Sequence, residues 1–97
     1  MELDNLLGVL KRKGLWDTLR VLAPYKTSKV DIHVFYNELK KFSYYNSFFR
    51  IKQDLVRRGL VKIELNNKKK YVRLTDRGLE LFNKLVDITR MIDTMEK

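Results

Sequence analysis

The sequence contains no cysteine, a single proline, a single histidine and no long apolar run. The absence of cysteine excludes a disulfide framework and a thiolate metal site, and it fits a protein of a reducing compartment. No apolar run approaches the roughly 18 residues that a membrane span requires. The N-terminus, "MELDNLLGVL", has no basic region ahead of its apolar residues, so it does not read as a signal peptide. We therefore expect a cytoplasmic protein without a membrane segment.

Catalytic and cofactor motifs are also missing. His33 stands beside Ile32 in a helix-like segment, where a surface or flank residue is the ordinary interpretation. The sequence has no glycine-rich phosphate loop, no paired-carboxylate motif and no metal-ligand spacing. We expect no enzymatic activity, no catalytic residue, no metal and no cofactor, and nothing in the sequence marks an effector pocket.

Positive charge is what the chain has in excess, with 21 lysines and arginines against 12 acids and a net charge of +9. Residues 11–29 hold six basic residues and one acid, and residues 50–73 hold nine basic residues and two acids. A concentrated excess of this kind points to a polyanionic partner. The alternative is a solvated surface that only keeps the protein in solution.

The apolar spacing predicts four helices, a β-hairpin and a long final helix in one domain. After Gly14, a second helix ends at Pro24 and a third runs for about ten residues from Ile32 to Phe42. Thr75 or Asp76 is the expected N-cap of the final helix. The fold class is therefore mainly α with a small β-hairpin. The segments within the single domain 1–97 are an N-terminal helix (1–14), a helix-turn-helix core (15–59), a hairpin or wing (60–75) and a C-terminal helix (76–97).

Segment 44–58 separates into two faces when its residues are placed about 100° apart on a helix. One face is apolar and is expected to anchor the helix, through Tyr44, Phe48, Ile51 and Leu55. The opposite arc carries the residue types that suit base edges, since arginine pairs with guanine and asparagine or glutamine pairs with adenine in the major groove. The residues expected to contact DNA from this helix are Tyr45, Asn46, Ser47, Arg50, Gln53 and Arg57. The alternative is an ordinary amphipathic helix that faces water.

The flank of the same helix stays open at this stage, because Tyr45 and Phe49 either pack under the hairpin or touch thymine methyl groups. In the hairpin, "NNKKK" predicts a turn, since asparagine tolerates positive φ. Lysines there suit phosphates or the minor groove and carry no sequence information. The expected wing contacts are Asn67, Lys68, Lys69, Lys70 and Arg73. The alternative is a charged turn that only blunts a hairpin edge.

The final helix has two apolar stripes. The first, expected to pack on the core, consists of Leu79, Phe82 and Val86. The second has spacings of 4, 3, 4 and 3, which resemble a heptad seam, and consists of Leu81, Leu85, Ile88, Ile92 and Met95. A helix with two apolar stripes has two surfaces to cover, so we expect the second stripe to pack against another copy of the chain.

Three stretches resemble the winged helix-turn-helix DNA-binding proteins, in particular compact MarR- and PadR-like regulators of archaea and bacteria. "FFRIKQDLVRRGLVKIE" resembles the end of a recognition helix that runs through a Gly-Leu-Val junction into a wing strand. "KKKYVRLTDRGLELFNKL" resembles the second wing strand and a Leu-Thr-x-x-Gly start of the last helix, and "HVFYNELKKF" resembles the first helix of the pair. The match covers roughly Leu15 to Leu85. Lys52 departs from it, since many relatives have an apolar residue there, and Ile51 takes that role.

This resemblance implies a homodimer that joins through its terminal helices, binds inverted-repeat double-stranded DNA and regulates transcription. The leucines of the first helix would then belong to the dimer interface, namely Leu3, Leu6, Leu7 and Leu10. Two alternatives remain open from the sequence. One is an architectural or plasmid-partition protein that binds DNA with little sequence preference, and the other is a winged helix that binds proteins.

Overall fold

The structure, a computed structural model, describes residues 13–42 and 45–95. Several predicted features fall outside these residues, namely the N-terminal helix with Leu3, Leu6, Leu7 and Leu10, the possible turn residue Ser43 and the anchor Tyr44. The described part contains four α-helices and one three-stranded antiparallel sheet. In chain order the elements are α1 (Lys13–Leu22), a 3₁₀ turn (Ala23–Tyr25), β1 (Val30–Asp31), α2 (Ile32–Leu39), α3 (Tyr45–Arg57), β2 (Val61–Asn66), β3 (Lys69–Leu74) and α4 (Asp76–Met95).

The sheet has the strand order β1-β3-β2, so β2 and β3 form the predicted hairpin and β1 pairs with the outer edge of β3. This arrangement confirms the predicted fold class, a mainly α winged helix with a small sheet. Gly14 lies inside α1, where the sequence had predicted an interruption.

The core lies between the first three helices, the inner face of the sheet and the start of α4. Leu19 and Leu22 of α1, Phe35 of α2 and Phe48 of α3 are completely buried. The rings of Phe35 and Phe48 meet edge to face, with centroids 4.9 Å apart. This pair ties the two helices of the helix-turn-helix together, because aromatic rings prefer such offset contacts.

The short strand β1 was not predicted, because two residues are too few to show an alternating pattern. Val30 pairs with Val72, and Asp31 pairs with Tyr71. Asp31 is also the N-cap of α2, since its Oδ1 accepts a hydrogen bond from the backbone N–H of His33 at 2.8 Å. An aspartate directly before a helical stripe is a recognisable capping signal.

α2 is shorter than predicted, because it ends at Leu39 and not at Phe42. The backbone N–H of Phe42 donates to the Leu39 carbonyl at 2.9 Å, which closes a tight turn. The Phe42 ring lies under the guanidinium of Arg20, 3.7 Å from its Cζ, and Arg20 also forms a 2.8 Å ion pair with the buried Asp17. Phe42 therefore joins the α2–α3 turn to α1 and does not continue the α2 stripe.

The junction between α3 and β2 is a Schellman motif. Gly59 has φ +73°, its N–H donates to the Val56 carbonyl at 3.0 Å, and the N–H of Leu60 donates to the Leu55 carbonyl at 2.9 Å. A Cβ at Gly59 would meet nothing within 4 Å. Glycine is therefore required here by the left-handed backbone and not by lack of space.

The Leu-Thr-x-x-Gly sequence attaches α4 to this junction. The Thr75 hydroxyl accepts from the Gly78 N–H at 3.0 Å, as an N-cap does, and donates to the Gly59 carbonyl at 2.5 Å. A Cβ at Gly78 would collide with the Leu60 carbonyl oxygen. Thr75 and Gly78 together let the first turn of α4 lie directly on the chain that connects α3 to the hairpin.

Candidate nucleic-acid interface

The two faces predicted for α3 are present in the described residues. Phe48, Ile51 and Leu55 are buried on the inner face. Three polar residues of the predicted DNA-binding set are exposed on the opposite face, namely Arg50, Gln53 and Arg57. Tyr45, Asn46 and Ser47 form the first turn of α3, and their side chains lie outside the described part. The buried Ile51 takes the anchoring role that the sequence assigned to it.

The two arginines of the exposed face differ in their partners. Arg57 forms an ion pair with Asp54, three residues earlier on the same helix. No carboxylate of the described residues forms an ion pair with Arg50. An exposed ion pair one helical turn apart contributes little to stability, so Arg57 can exchange Asp54 for another acceptor at small cost.

Phe49 answers the question that the sequence left open about the flank of α3. Its side chain is 44% exposed. Its ring lies 5.7 Å from that of Tyr36 on α2, and the Lys52 ammonium lies 5.9 Å from the Phe49 centroid. Phe49 therefore lies against α2 and does not pack under the hairpin.

A shallow groove of about 300 Å³ runs between α2 and the start of α3. Its walls are His33, Tyr36, Asn37, Lys40 and Phe49. Burial raises the pKa of the Tyr36 phenol. The sequence did not reveal this groove, because Tyr36 and Phe49 are 13 positions apart and only the packing of the two helices brings them together.

The wing ends in a turn of two residues. Asn66 pairs with Lys69, which leaves Asn67 and Lys68 as the connection, and these have φ +50° and +66°. Positive φ at both positions is the type I′ form, whose twist matches that of the flanking strands. A lysine in the left-handed region costs roughly 1–2 kcal/mol. All four predicted wing-tip residues are exposed, namely Asn67, Lys68, Lys69 and Lys70.

Arg73, the fifth predicted wing contact, is engaged within the hairpin. Its Nε donates to Glu64 Oε1 at 2.8 Å, and its side chain is only 27% exposed. This hydrogen bond lowers the pKa of the Glu64 carboxyl, with a smaller contribution from the charges of Arg73, Lys29 and Lys62. Arg73 thus braces β2 against β3, and a DNA contact by this residue stays a prediction.

The wing emerges directly beside α3. β2 follows α3 through the Gly59 junction and packs against it. The exposed face of α3 and the wing tip together contain all the predicted DNA-contacting side chains of the described residues except Arg73. Eight of the nine basic residues of segment 50–73 lie on α3 or in the β2–β3 hairpin, and Arg58 lies in the junction between them.

The predicted dimer seam of α4 has two parts. Leu81 is half-buried against the core, and Leu85 is buried at 8% exposure. Ile88 and Ile92 are each 51% exposed, and Met91 between them is 64% exposed. Met95 ends α4, and its side chain lies outside the described part. The first half of the seam thus packs in the core of the same chain, and the apolar surface opens after Leu85.

Membrane-spanning helices and metal-binding clusters are absent from the described residues. Between residues 13 and 95, leaving out 43 and 44, none of the helices has the length and apolar character to cross a bilayer. In the part of the chain that the structure describes, histidine, aspartate and glutamate do not gather into a group of three that could hold a metal ion.

Comparison with known proteins gives matches among solved structures. No protein-family model matches the chain, and no curated protein matches it. AF1382 from Archaeoglobus fulgidus is similar, with 24% identity, a TM-score of 0.60, and coverage of 90% of this chain and 91% of that one. F-93 of SSV1 has 16% identity and a TM-score of 0.57, over 81% of this chain and 90% of its own.

The third similar structure is the MarR family transcriptional regulator SPO1453 from Silicibacter pomeroyi DSS-3. It shares 25% identity and a TM-score of 0.63 over 95% of this chain, and the chain spans 64% of its length. The chain therefore has a winged-helix, MarR-like fold of the type found in transcriptional regulators.

Proposed function

We propose that this protein is a homodimeric transcriptional regulator that binds specific double-stranded DNA. The observation that carries the proposal is the division of α3. Its inner residues are buried in the core, while Arg50, Gln53 and Arg57 stand together on the outside, next to a basic wing. The MarR-family neighbour supports the same function.

In this proposal α3 enters the major groove, which admits a single helix. From Arg50 to Arg57 the exposed row extends about 10 Å along the helix axis at 1.5 Å per residue. That length matches roughly three base pairs at 3.4 Å each. Arg50 and Arg57 are suited to guanine and Gln53 to adenine, so each α3 reads a half-site of a few base pairs.

The wing supplies the part of the affinity that does not depend on sequence. Lys68, Lys69 and Lys70 are exposed around a tight turn, and ammonium groups act as point charges toward phosphates. Each phosphate they neutralise releases counterions, which makes binding weaker as salt rises. The wing thus positions α3 on the duplex, and α3 selects the bases.

A second copy of the chain covers the exposed apolar surface of α4. Ile88, Met91 and Ile92 lie at the helical spacing of one stripe and continue the buried Leu85. A twofold dimer would place two α3 helices on half-sites one helical turn apart, which corresponds to an inverted repeat.

Selection of bound sequences from a random pool of duplexes tests the proposal directly. We expect enrichment of an inverted repeat with two half-sites of a few base pairs. Strong, salt-sensitive binding without enrichment would favour an architectural or partition role. If micromolar protein retains no duplex at low salt, DNA binding is wrong and a protein-interaction role takes its place.

A further inference from the structure

The wing carries an apolar residue that the hydrophobic core of the chain does not cover. Leu65 is 70% exposed, which is the highest value for any large apolar side chain of the described residues. It lies in β2 directly opposite Lys70, one position before the pair that closes the turn. Ile63 and Val61, two and four positions earlier on the same face, are half-buried and buried.

No further part of the hairpin is available to cover Leu65. The neighbouring position on the same face is Lys70, and the turn of Asn67 and Lys68 is too short to fold back. Directly opposite positions in antiparallel strands have Cβ atoms about 5 Å apart. The Lys70 side chain therefore leaves the same face of the hairpin as the exposed isobutyl group of Leu65, at the tip of the wing.

The charges around Leu65 indicate what covers it. Three consecutive lysines, Lys68 to Lys70, surround this position, so a second wing tip would be repelled and a polyanion would be attracted. A left-handed lysine at Lys68 keeps a positive charge where glycine would fit with less strain. The surroundings thus combine an apolar wedge with phosphate-binding cations, which is the chemistry of side chains that enter the minor groove of DNA.

We propose that the wing inserts Leu65 into the minor groove of the duplex and bends it, while Lys70 holds the adjacent phosphate. The inference rests on the proposed DNA binding and adds a second point of sequence discrimination. An apolar wedge unstacks a base step, so it favours steps that deform easily, such as TA and CA/TG. The Asn67 amide can donate to the acceptors that A·T pairs present on the groove floor.

Two substitutions at Leu65 test the apolar wedge without changing any charge. Leu65→Ala removes the wedge without adding a polar group, and Leu65→Met replaces it with an unbranched apolar side chain of similar size. Energy transfer between dyes at the two duplex ends measures the bend. Competition between duplexes with TA or GC steps at the wing position measures the preference, which we expect to be about tenfold, as for one mismatched pair.

We expect Leu65→Ala to relax the bend and lose the step preference, with an unchanged dependence of binding on salt because no charge is removed. Leu65→Met should restore both. Lys68→Ala is the matched control, since it should lower the salt dependence by about one unit and keep the step preference. Melting temperatures of the three variants confirm that each is folded.

The outcomes also separate this inference from the proposed function. Specific binding by the parent protein together with an unchanged bend and preference in Leu65→Ala overturns the wedge and leaves the regulator intact. A change of oligomeric state in Leu65→Ala would assign the residue to contact between copies and also overturn the wedge. Failure of the parent protein to bind any duplex would overturn both the wedge and the proposed function.

Discussion

Helices α3 and α4 are both amphipathic, but they use their exposed surfaces in opposite ways. α3 buries Phe48, Ile51 and Leu55 and exposes arginine and glutamine, while Phe49 and Val56 on its flank stay partly exposed. α4 buries its apolar residues only as far as Leu85, and beyond that point it exposes Ile88, Met91 and Ile92. An exposed polar face suits a charged, hydrated partner, whereas a row of exposed aliphatic side chains suits a second apolar surface.

The difference shows that two helices with similar sequence periodicity expose different kinds of surface because the core ends at different places on them. α3 packs against both α1 and β2. α4 leaves the core after about ten residues of its 20. Its second half is therefore available to another molecule.

The largest expected effect comes from placing charge on the exposed stripe of α4. The double variant Ile88→Lys/Ile92→Lys should convert a dimer into a monomer, because burying unpaired ammonium groups costs several kcal/mol. Light scattering measures the change, which should exceed about a hundredfold in the dimer dissociation constant. Thr89→Lys/Thr94→Lys adds the same charge off the stripe and should stay dimeric. A dimer that persists in Ile88→Lys/Ile92→Lys would mean that the dimer interface lies elsewhere on the chain.

A second test concerns the point where the core ends on α4. Leu85→Ala should lower the free energy of unfolding by about 2–4 kcal/mol, because it leaves a cavity in the core. Met91→Ala, one turn and a half further along, should change the stability of the monomer by no more than about 0.5 kcal/mol. Urea denaturation in the Ile88→Lys/Ile92→Lys background measures both. Equal losses of unfolding free energy in the two variants would mean that the core extends along α4 as far as Met91.

On α3, Arg50→Ala should weaken binding to the selected site by about 1–3 kcal/mol and have a much smaller effect on random duplex. Arg90→Ala on α4 removes the same charge away from the interface and serves as the control. Fluorescence anisotropy on both duplexes gives the specificity ratio. Equal losses on the two duplexes would make Arg50 a phosphate contact and not a reader of bases.

In the wing, Lys68→Gly should have opposite effects on stability and binding. Relief of the left-handed lysine should stabilise the hairpin by about 1 kcal/mol. The lost charge should lower the slope of log affinity against log salt by about 0.9. Lys69→Ala is the control, since it loses the same charge without relieving strain. An unchanged salt slope in both variants would mean that the wing tip does not contact phosphates.

The smallest effect concerns the brace between Glu64 and Arg73. The pKa of Glu64 is lowered below its ordinary value of 4.5, so its contribution to stability is present above pH 4.5 and is lost as the pH falls through the lower folded-state pKa. Titration of the Glu64 carboxyl carbon by NMR measures this pKa. Arg73→Ala should return it toward 4.5, and an unchanged value would mean that other charges hold it down.

Much of α3 and the wing was accessible from the sequence because their signals are local. Helical angles separated Phe48, Ile51 and Leu55 from Arg50 and Gln53, and burial confirms that division. The alternation of residues 60–75 predicted the hairpin, and the asparagines predicted its turn. Each of these signals depends on residues within a few positions of one another, where backbone geometry relates position to direction.

The misses share a different cause, which is that they depend on residues far apart in the chain. Phe42 leaves the α2 stripe and lies under the Arg20 guanidinium, and the ion pair of Arg73 with Glu64 was not foreseen, while a DNA contact by Arg73 stays a prediction. The contact of Phe49 with Tyr36 concerns a flank that the sequence had left open. None of these partners lies within four positions of the residue it contacts, so periodicity carries no information about them.

By itself, the sequence determined the order of elements, the faces of α3 and the concentration of positive charge, since side-chain periodicity and composition are properties of the chain. The tertiary structure decided where the core ends on α4. It also decided that Arg73 of the wing forms an ion pair with Glu64 and that Leu65 of the wing remains exposed. Those outcomes follow from the limited volume of one small core. Leu85 and Ile63 still pack in or against this core, whereas Ile88 and Leu65, one turn or one strand repeat further along, lie beyond it and are exposed.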